Sequence, residues 1–408
     1  MRILIYSINY APELTGIGKY NAEMAEWLVE KGHDVTVITA PPYYPWWKVQ
    51  APYRAGSYAT EQLKGVRVYR CPLWVPRQLS GVKRLLHLFS FALSSVPILL
   101  SQVFKRHDVF FILEPTLFCV PMGLGVARLS RAHAWLHVQD LEVDAAFDLG
   151  LLSSRYLRHA VLYTEKQLMR LFDRVSTISA NMSERLIAKG VRHDKALLFP
   201  NWVDTNAIFP TKAPSLMREE LGVPTDSVVA LYSGNMGEKQ GLDKVLEAAE
   251  QLIHQTRLKF IFCGDGAARA KLKKRYAHLP NVTWITLQPI EKLNELLNMA
   301  DIHLLPQSAD AADLVMPSKL TGMLSSGRPV IATAQAGTRL AEVVSNCGIV
   351  VAPGNTVEFA HSLLRLVQDE DMRMGLGDAA RKFAENHMAI DSVLNQFEGN
   401  LNRLINKA

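Results

Sequence analysis

A chain of 408 residues exceeds what one hydrophobic core of ordinary size supports, so at least two domains are expected. A hydrophobic share of 49% and a charged share of 21% exclude an intrinsically disordered chain, and 24 glycines and 20 prolines spread along its length exclude a low-complexity or collagen-like one. The net charge of +6 asks for an anionic partner, but the basic residues are dispersed, without interleaved aromatics or a helix-turn-helix or RNP pattern, which argues against nucleic acid and leaves a membrane surface or a phosphate-bearing substrate.

In chain order, the apolar start at residues 1–10 resembles a signal peptide, yet Pro12 and Glu13 follow and no small-residue cleavage site appears. It reads as a buried first strand. The loop N-Y-A-P-E-L-T-G-I-G-K-Y (residues 9–20) then brings Gly16 and Gly18 to the start of a helix, where glycines let backbone N–H groups approach a ligand. A dinucleotide fingerprint does not fit, because its third glycine is replaced by Asn21 and the second strand ends without an acidic residue. A plain helix-capping loop remains the alternative.

Further strands are predicted at 34–40, 66–73, 109–114, 134–139, 174–179 and 196–199. Between the second and third of these lies an apolar stretch, residues 85–103, flanked by Lys83, Arg84, Lys105 and Arg106. Three readings are open: a membrane span, which would cut the domain in two; a long core helix; or a helix in the bilayer interface with its basic ends on anionic lipid. His137 and Asp140 fall at the end of the strand at 134–139, where a polar pair can orient a sugar hydroxyl or steady developing charge, or else simply satisfy each other.

Two prolines and several turn formers at 200–210 suit a linker, which puts the boundary near residue 205 and gives domains 1–204 and 205–408. The second half restarts the alternation, with strands at 228–233, 259–263, 282–287, 302–306, 329–333 and 348–351. Its first loop holds Gly234, Asn235, Lys239 and Gln240; the next holds Gly264, Asp265 and Gly266; Ser318 and Lys319 open a later helix. Glycines, a flexible cation and helix starts at one end of a sheet form a plausible diphosphate site, although each alone is more often a capping turn. The D-E-D at 369–371 matches a metal signature on paper and reads as a solvated turn between C-terminal helices. The last helix is expected to pack back onto the first domain. Cys71, Cys119, Cys263 and Cys347 are widely spaced, which suggests reduced thiols in the cytoplasm rather than a disulfide framework or zinc site. The fold class is therefore α/β, with two Rossmann-like doubly wound domains expected to face a central cleft.

The chain resembles glycosyltransferase family 4 over its whole length, and within it the colanic acid biosynthesis branch. The likeness rests on the 9–20 loop with K-G-H-D-V-T-V-I-T-A-P-P-Y-Y-P, P-T-L-F-C, L-H-V-Q-D-L-E-V-D, F-P-N-W-V-D, Y-S-G-N-M-G-E-K-Q-G-L and P-S-K-L-T-G-M-L-S-S-G-R-P-V-I-A-T. The resemblance implies the GT-B fold, no metal or other cofactor, and transfer with retained anomeric configuration. It also implies GDP-fucose as donor, a polyprenyl-diphosphate-linked acceptor in exopolysaccharide synthesis, and cytoplasmic placement against the inner membrane. By the same analogy Gly16 and Gly18 approach the donor phosphates, His137 faces the sugar, Gly264, Asp265, Gly266 and Leu287 border the nucleoside, and Ser318 with Lys319 meets the diphosphate. Two departures stand out. Asn235 and Gln240 occupy the places of an arginine and a lysine, leaving Lys239 as that loop's cation, and the usual glutamate pair falls at Gly322 and near Asp313 or Leu314. Rival readings are a nucleotide-sugar epimerase of the same fold and a non-catalytic binding protein.

Overall fold

Short runs of Val, Ile and Phe, apolar on both faces, need helices on both sides, and in the computed structural model they form two parallel sheets in separate compact units. The described residues are 1–13, 16–77, 81–114, 118–140, 155–211, 215–237, 240–308 and 317–406.

Unit 1 comprises Met1–Pro200 and Leu394–Ala408. Its strands are β1 (Arg2–Tyr6), β2 (Asp34–Thr39), β3 (Ala59–Leu63), β4 (Val66–Arg70), β5 (Val109–Glu114), β6 (His133–Val138), β7 (Arg174–Thr177) and β8 (Ala196–Leu198), in the order β3-β4-β2-β1-β5-β6-β7-β8. All neighbours run parallel except β3, which pairs antiparallel with β4 at the sheet edge. All six residues of β5 are buried, as expected for a strand covered on both faces. The helices are α1 (Gly16–Glu30), α2 (Gly81–Ser101), α3 (Cys119–Leu129), α4 (Arg155–Arg170) and α5 (Ala180–Ala188).

The apolar stretch at 85–103 lies mostly within α2, a docked helix with one face in the core. Leu88, Phe91, Ala92 and Leu99 are buried against the sheet, and Ser95 Oγ lies 2.5 Å from the Tyr6 hydroxyl of β1. The opposite face exposes Leu86, Phe89, Leu93 and Leu100. Only 39% of its most apolar window is buried.

Unit 2, Asn201–Val393, holds β9 (Val228–Ser233), β10 (Leu258–Cys263), β11 (Val282–Ile285), β12 (Ile302–Leu305), β13 (Val330–Thr333) and β14 (Gly348–Val351). The order β11-β10-β9-β12-β13-β14, parallel throughout, is the doubly wound arrangement, with its reversal between β9 and β12. The helices are α6 (Leu216–Glu220), α7 (Leu242–Gln251), α8 (Arg269–Arg275), α9 (Leu293–Met299), α10 (Lys319–Ser325), α11 (Arg339–Ser345), α12 (Thr356–Gln368) and α13 (Glu370–His387). A last helix, α14 (Ile390–Ile405), begins in unit 2 and belongs to unit 1 from Leu394 onward.

The segment at 200–210 differs from a free linker. The Val203 amide donates to the Met388 carbonyl at 2.8 Å, and the Ile208 carbonyl accepts from Ser325 Oγ at 2.6 Å and from Arg381 at 2.8 Å. Val203 and Ile208 are core residues of unit 2, so the division falls at Pro200 rather than near residue 205. Asp369 is exposed and caps α13, its Oδ1 accepting from the Met372 amide at 2.8 Å. That bond accounts for the acid at this turn without a metal. All four cysteines are buried and free.

Candidate functional site

Where the strand order of unit 2 reverses, the chain must leave β9 and β10 side by side. It does so through Gly234 and Gly264, both at φ +138°, and Gly266 at φ +151°, a region that L side chains rarely adopt. A Cβ on Gly264 would lie 2.0 Å from the Gly234 carbonyl oxygen, and one on Gly266 would lie 2.6 Å from the Met236 carbonyl and 2.7 Å from Asn235 Oδ1. The loops are stitched together by the Met236 amide donating to the Asp265 carbonyl at 2.8 Å and the Ala268 amide to the Met236 carbonyl at 2.9 Å. These glycines are thus required by loop-on-loop packing, before any ligand is considered.

Lys319, the first residue of α10, reaches over this pair of loops. Its Nζ lies 4.2 Å from the centre of the Tyr232 ring and 3.4 Å from Gln240 Oε1. The Tyr232 hydroxyl donates to the Asn235 carbonyl at 2.5 Å, which fixes the ring beneath the ammonium. Among the described residues no carboxylate pairs with Lys319, and burial lowers its pKa to about 7. A π face and an amide oxygen are weak substitutes for water and for a counter-ion, so the geometry leaves an ammonium poised for an anion.

In unit 1 the loop after β1 is braced by a carboxylate. Glu13 accepts from Asn9 Nδ2 at 2.8 Å and from the Tyr43 and Tyr44 amides at 3.0 Å each, and burial raises its pKa against those bonds. Gly16 starts α1 at φ +64°, and a Cβ on Gly18 would meet the Glu13 carboxylate at 2.7 Å. Asn21 donates to Ser7 Oγ at 2.9 Å and to the Asn9 carbonyl at 3.0 Å, so it ties the loop to itself. Asp140, just past β6, is half-buried; burial raises its pKa while the Arg84 guanidinium on α2 lowers it, and it in turn acts on Tyr44.

The glycosyl transferase 4-like domain family matches residues 15–202, and the glycosyl transferases group 1 family matches residues 215–383. The chain is 42% identical over 408 aligned residues, 97% of its length and 98% of the relative's, to WcaI of Escherichia coli (strain K12), which is described as a colanic acid biosynthesis glycosyl transferase. The chain belongs to glycosyltransferase family 4. It is a glycosyltransferase. The fold is shared with sucrose-phosphate synthase of Thermosynechococcus elongatus, at a TM-score of 0.76 and 16% identity over 100% of both chains. It is shared too with HepE of Anabaena, solved in complex with UDP-glucose, at a TM-score of 0.71 and 16% identity over 99% of this chain and 100% of that one. Two Rossmann-like domains of the GT-B type are therefore the architecture of this family 4 enzyme.

The structure brings together Gly234, Asn235, Gln240, Gly264, Gly266 and Lys319. Asp265 is exposed beside them, its Oδ1 accepting from the Gly266 amide at 2.8 Å. Ser318 is exposed at the cap of α10 with no side-chain cap bond, and Leu287, 56% exposed, forms an apolar step past β11. Lys239, Asp313 and Leu314 lie outside the described residues. His137 lies deep in unit 1. It is 2% exposed, its Nδ1 lies 2.9 Å from Ser176 Oγ, and its ring packs with Phe111 at 5.6 Å and Phe199 at 5.0 Å. Burial holds it neutral, with a pKa of about 3. No hydrogen bond joins it to Asp140 among the described residues. Sequence reading missed Tyr232, Glu13 and Arg84. Tyr232 and Glu13 both sit inside quoted motifs, but nothing in the sequence links Tyr232 to Lys319, which lies far along the chain.

Proposed function

We propose that this glycosyltransferase moves fucose from GDP-fucose to a polyprenyl-diphosphate-linked acceptor in exopolysaccharide assembly of the colanic acid kind, with retained configuration and without a metal ion. The observation that carries the nucleotide-sugar reading is Lys319, an ammonium held against Tyr232 and Gln240 without a carboxylate partner among the described residues. Cleavage of the sugar–diphosphate bond builds negative charge on the leaving group, and a preorganised cation in a shielded site stabilises that charge without reorganisation. Asn235 and the amides of the glycine loops add neutral donors, and Lys239 is the second cation of this reading. The exposed Leu287 supports a nucleoside face. Asp140, just past β6 and near the Arg84 guanidinium, is the group proposed to orient a sugar hydroxyl or steady developing charge. The sugar and base of the donor follow from the resemblance to the colanic acid branch.

The acceptor reading draws on α2. Its exposed Leu86, Phe89 and Leu93, with exposed Trp46 and Trp74 elsewhere in unit 1 and basic residues at both ends, support an enzyme that lies on the cytoplasmic leaflet without crossing it.

The test is transfer from a panel of nucleotide sugars to a polyprenyl-diphosphate-linked oligosaccharide. GDP-fucose consumed only when acceptor is present, with the donor's anomeric configuration in the product and full activity in EDTA, is expected. Donor isomerised without acceptor would make it an epimerase, and tight binding with no turnover a binding protein. Lys319→Ala should lower kcat/KM by roughly 10²–10³, the scale of one lost stabilising group.

A further inference from the structure

The parallel part of the unit 1 sheet reverses its strand order between β1 and β5. In an open α/β sheet that reversal is where a ligand crevice forms, outside the carboxyl ends of the strands. Strands β1 and β2 lie to one side of it, β5 and β6 to the other. Gly16 follows β1, Tyr44 follows β2 and Asp140 follows β6, so the three come to this place from both sides. A Cβ on Gly16 would lie 3.7 Å from Tyr44 Cε1, which sets the tyrosine ring against the first turn of α1. Burial, then the Glu13 and Asp140 carboxylates, raise the pKa of the Tyr44 hydroxyl, and the Arg84 guanidinium lowers it, so charged groups from three segments converge on this ring.

The backbone at Tyr44 is fixed although its side chain is not buried. The Tyr43 and Tyr44 amides both donate to Glu13 Oε1 at 3.0 Å. The Lys48 amide donates to the Tyr43 carbonyl at 3.3 Å, and the Gln50 amide to the Pro42 carbonyl at 3.1 Å. Tyr43 is 5% exposed, and its ring packs edge-on against His87 at 4.7 Å and Trp47 at 5.6 Å. Tyr44, next in the chain, stays 39% exposed and is not among the described core residues of unit 1. Tyr43 thus carries the packing, and Tyr44 presents an aromatic face that the core does not use. A ring on a fixed backbone loses little entropy when a ligand settles on it. Its face suits the apolar C–H side of a sugar ring, while a neighbouring carboxylate can take a hydroxyl.

We propose that Tyr44 binds the acceptor, its ring lying against the acceptor's terminal sugar with Asp140 on a hydroxyl of the same sugar. The proposal rests on the reading of this enzyme as one that extends a lipid-linked oligosaccharide. Transfer by the full chain to a polyprenyl-diphosphate-linked oligosaccharide, from GDP-fucose or whichever nucleotide sugar of the panel supports turnover, is followed for wild type, Tyr44→Ala and Tyr44→Phe, with acceptor and donor varied in turn. Tyr44→Ala should raise KM for the acceptor about tenfold, the scale of one lost aromatic face, and leave KM for the donor within about twofold. Tyr44→Phe keeps the ring and should return the acceptor KM to within about threefold of wild type. A general disturbance of the fold would move both constants together. An acceptor KM unchanged in Tyr44→Ala, an equal rise for the donor, or a phenylalanine variant as weak as the alanine one overturns the proposal. Sedimentation with vesicles of phosphatidylethanolamine and phosphatidylglycerol separates sugar from lipid. Undiminished vesicle binding by Tyr44→Ala is expected, whereas a loss in step with the rise in KM would make Tyr44 a lipid contact and overturn the proposal. Absence of transfer by the wild type from every donor of the panel would instead overturn the reading of the enzyme, and this proposal with it.

Discussion

At the scale of single residues, Lys319 makes the sign of the pH dependence a matter of chemistry. With a pKa of about 7 in the empty site, its ammonium is present below that pH before donor arrives. Above it, an anionic diphosphate must bring a proton with it, because the anion favours the charged form. Affinity for a nucleotide diphosphate should therefore fall as pH rises from about 7 to 9, by up to about tenfold per unit, whereas Lys319→Arg, charged throughout, should show a flatter profile. Calorimetric titration of both proteins across that range checks it, and parallel profiles would count against Lys319 as the diphosphate cation. His137 gives the opposite kind of prediction. As a core ring beside Phe111 and Phe199, its replacement by alanine should lower stability by about 2–4 kcal/mol yet leave kcat of the folded protein within about threefold. A fall in kcat of a hundredfold with unchanged melting would restore a sugar-facing role. The burial of His137 was legible in part. Side chains alternate along a strand, so His137 shares its face with Trp135, and a tryptophan in a mostly apolar strand points to the core. No such pattern announces Tyr232 under Lys319, because that contact joins β9 to the start of α10, far apart in the chain.

At the scale of elements, the strands buried on both faces were legible from their apolar runs, and β3 was not. Its residues A-T-E-Q-L are half-exposed at a sheet edge, so neither hydrophobicity nor alternation marks them. The helix α2 was legible as apolar but not as two-faced. Phe91 is fully buried, whereas Leu86, Phe89 and Leu93 lie on the exposed face that lipid can reach. Changing those three to serine should reduce sedimentation with vesicles of mixed zwitterionic and anionic phospholipid by at least about tenfold, with the melting transition retained. Phe91→Ser should instead unfold unit 1. Unaltered vesicle binding by the triple variant would remove α2 from the interface. Helix α13 allows a sharper comparison. Gly375 is exposed with nothing near its missing Cβ, so Gly375→Ala should stabilise by about 0.5–1 kcal/mol through helix propensity. Two residues on, a Cβ at Gly377 would lie 2.4 Å from the Gly327 carbonyl oxygen, and Gly377→Ala should destabilise by about 1–3 kcal/mol. Thermal melts of the two variants should move in opposite directions.

At the scale of the whole molecule, unit 1 is assembled from both ends of the chain. Phe397 of α14 stacks on Phe199 with centroids 4.4 Å apart and packs edge-on against Phe111 and Trp135, each at 5.1 Å, while Glu398 meets His33 at 2.8 Å. Phe397→Ala should cost about 3–5 kcal/mol, and a fragment of residues 1–200 alone should show no sharp melting transition. Residues 201–393 should melt cooperatively as a fragment; if residues 1–200 do so equally well, the aromatic closure is dispensable. The same closure sets a clock on synthesis. A ribosome releases Phe199 and Phe397 separated by roughly 200 residues, about 10–40 s of elongation at ordinary rates. Throughout that interval the nascent face of Phe111, Trp135 and Phe199 has no cover, so slower translation lengthens its exposure and chaperone holding shields it until the closing helix emerges.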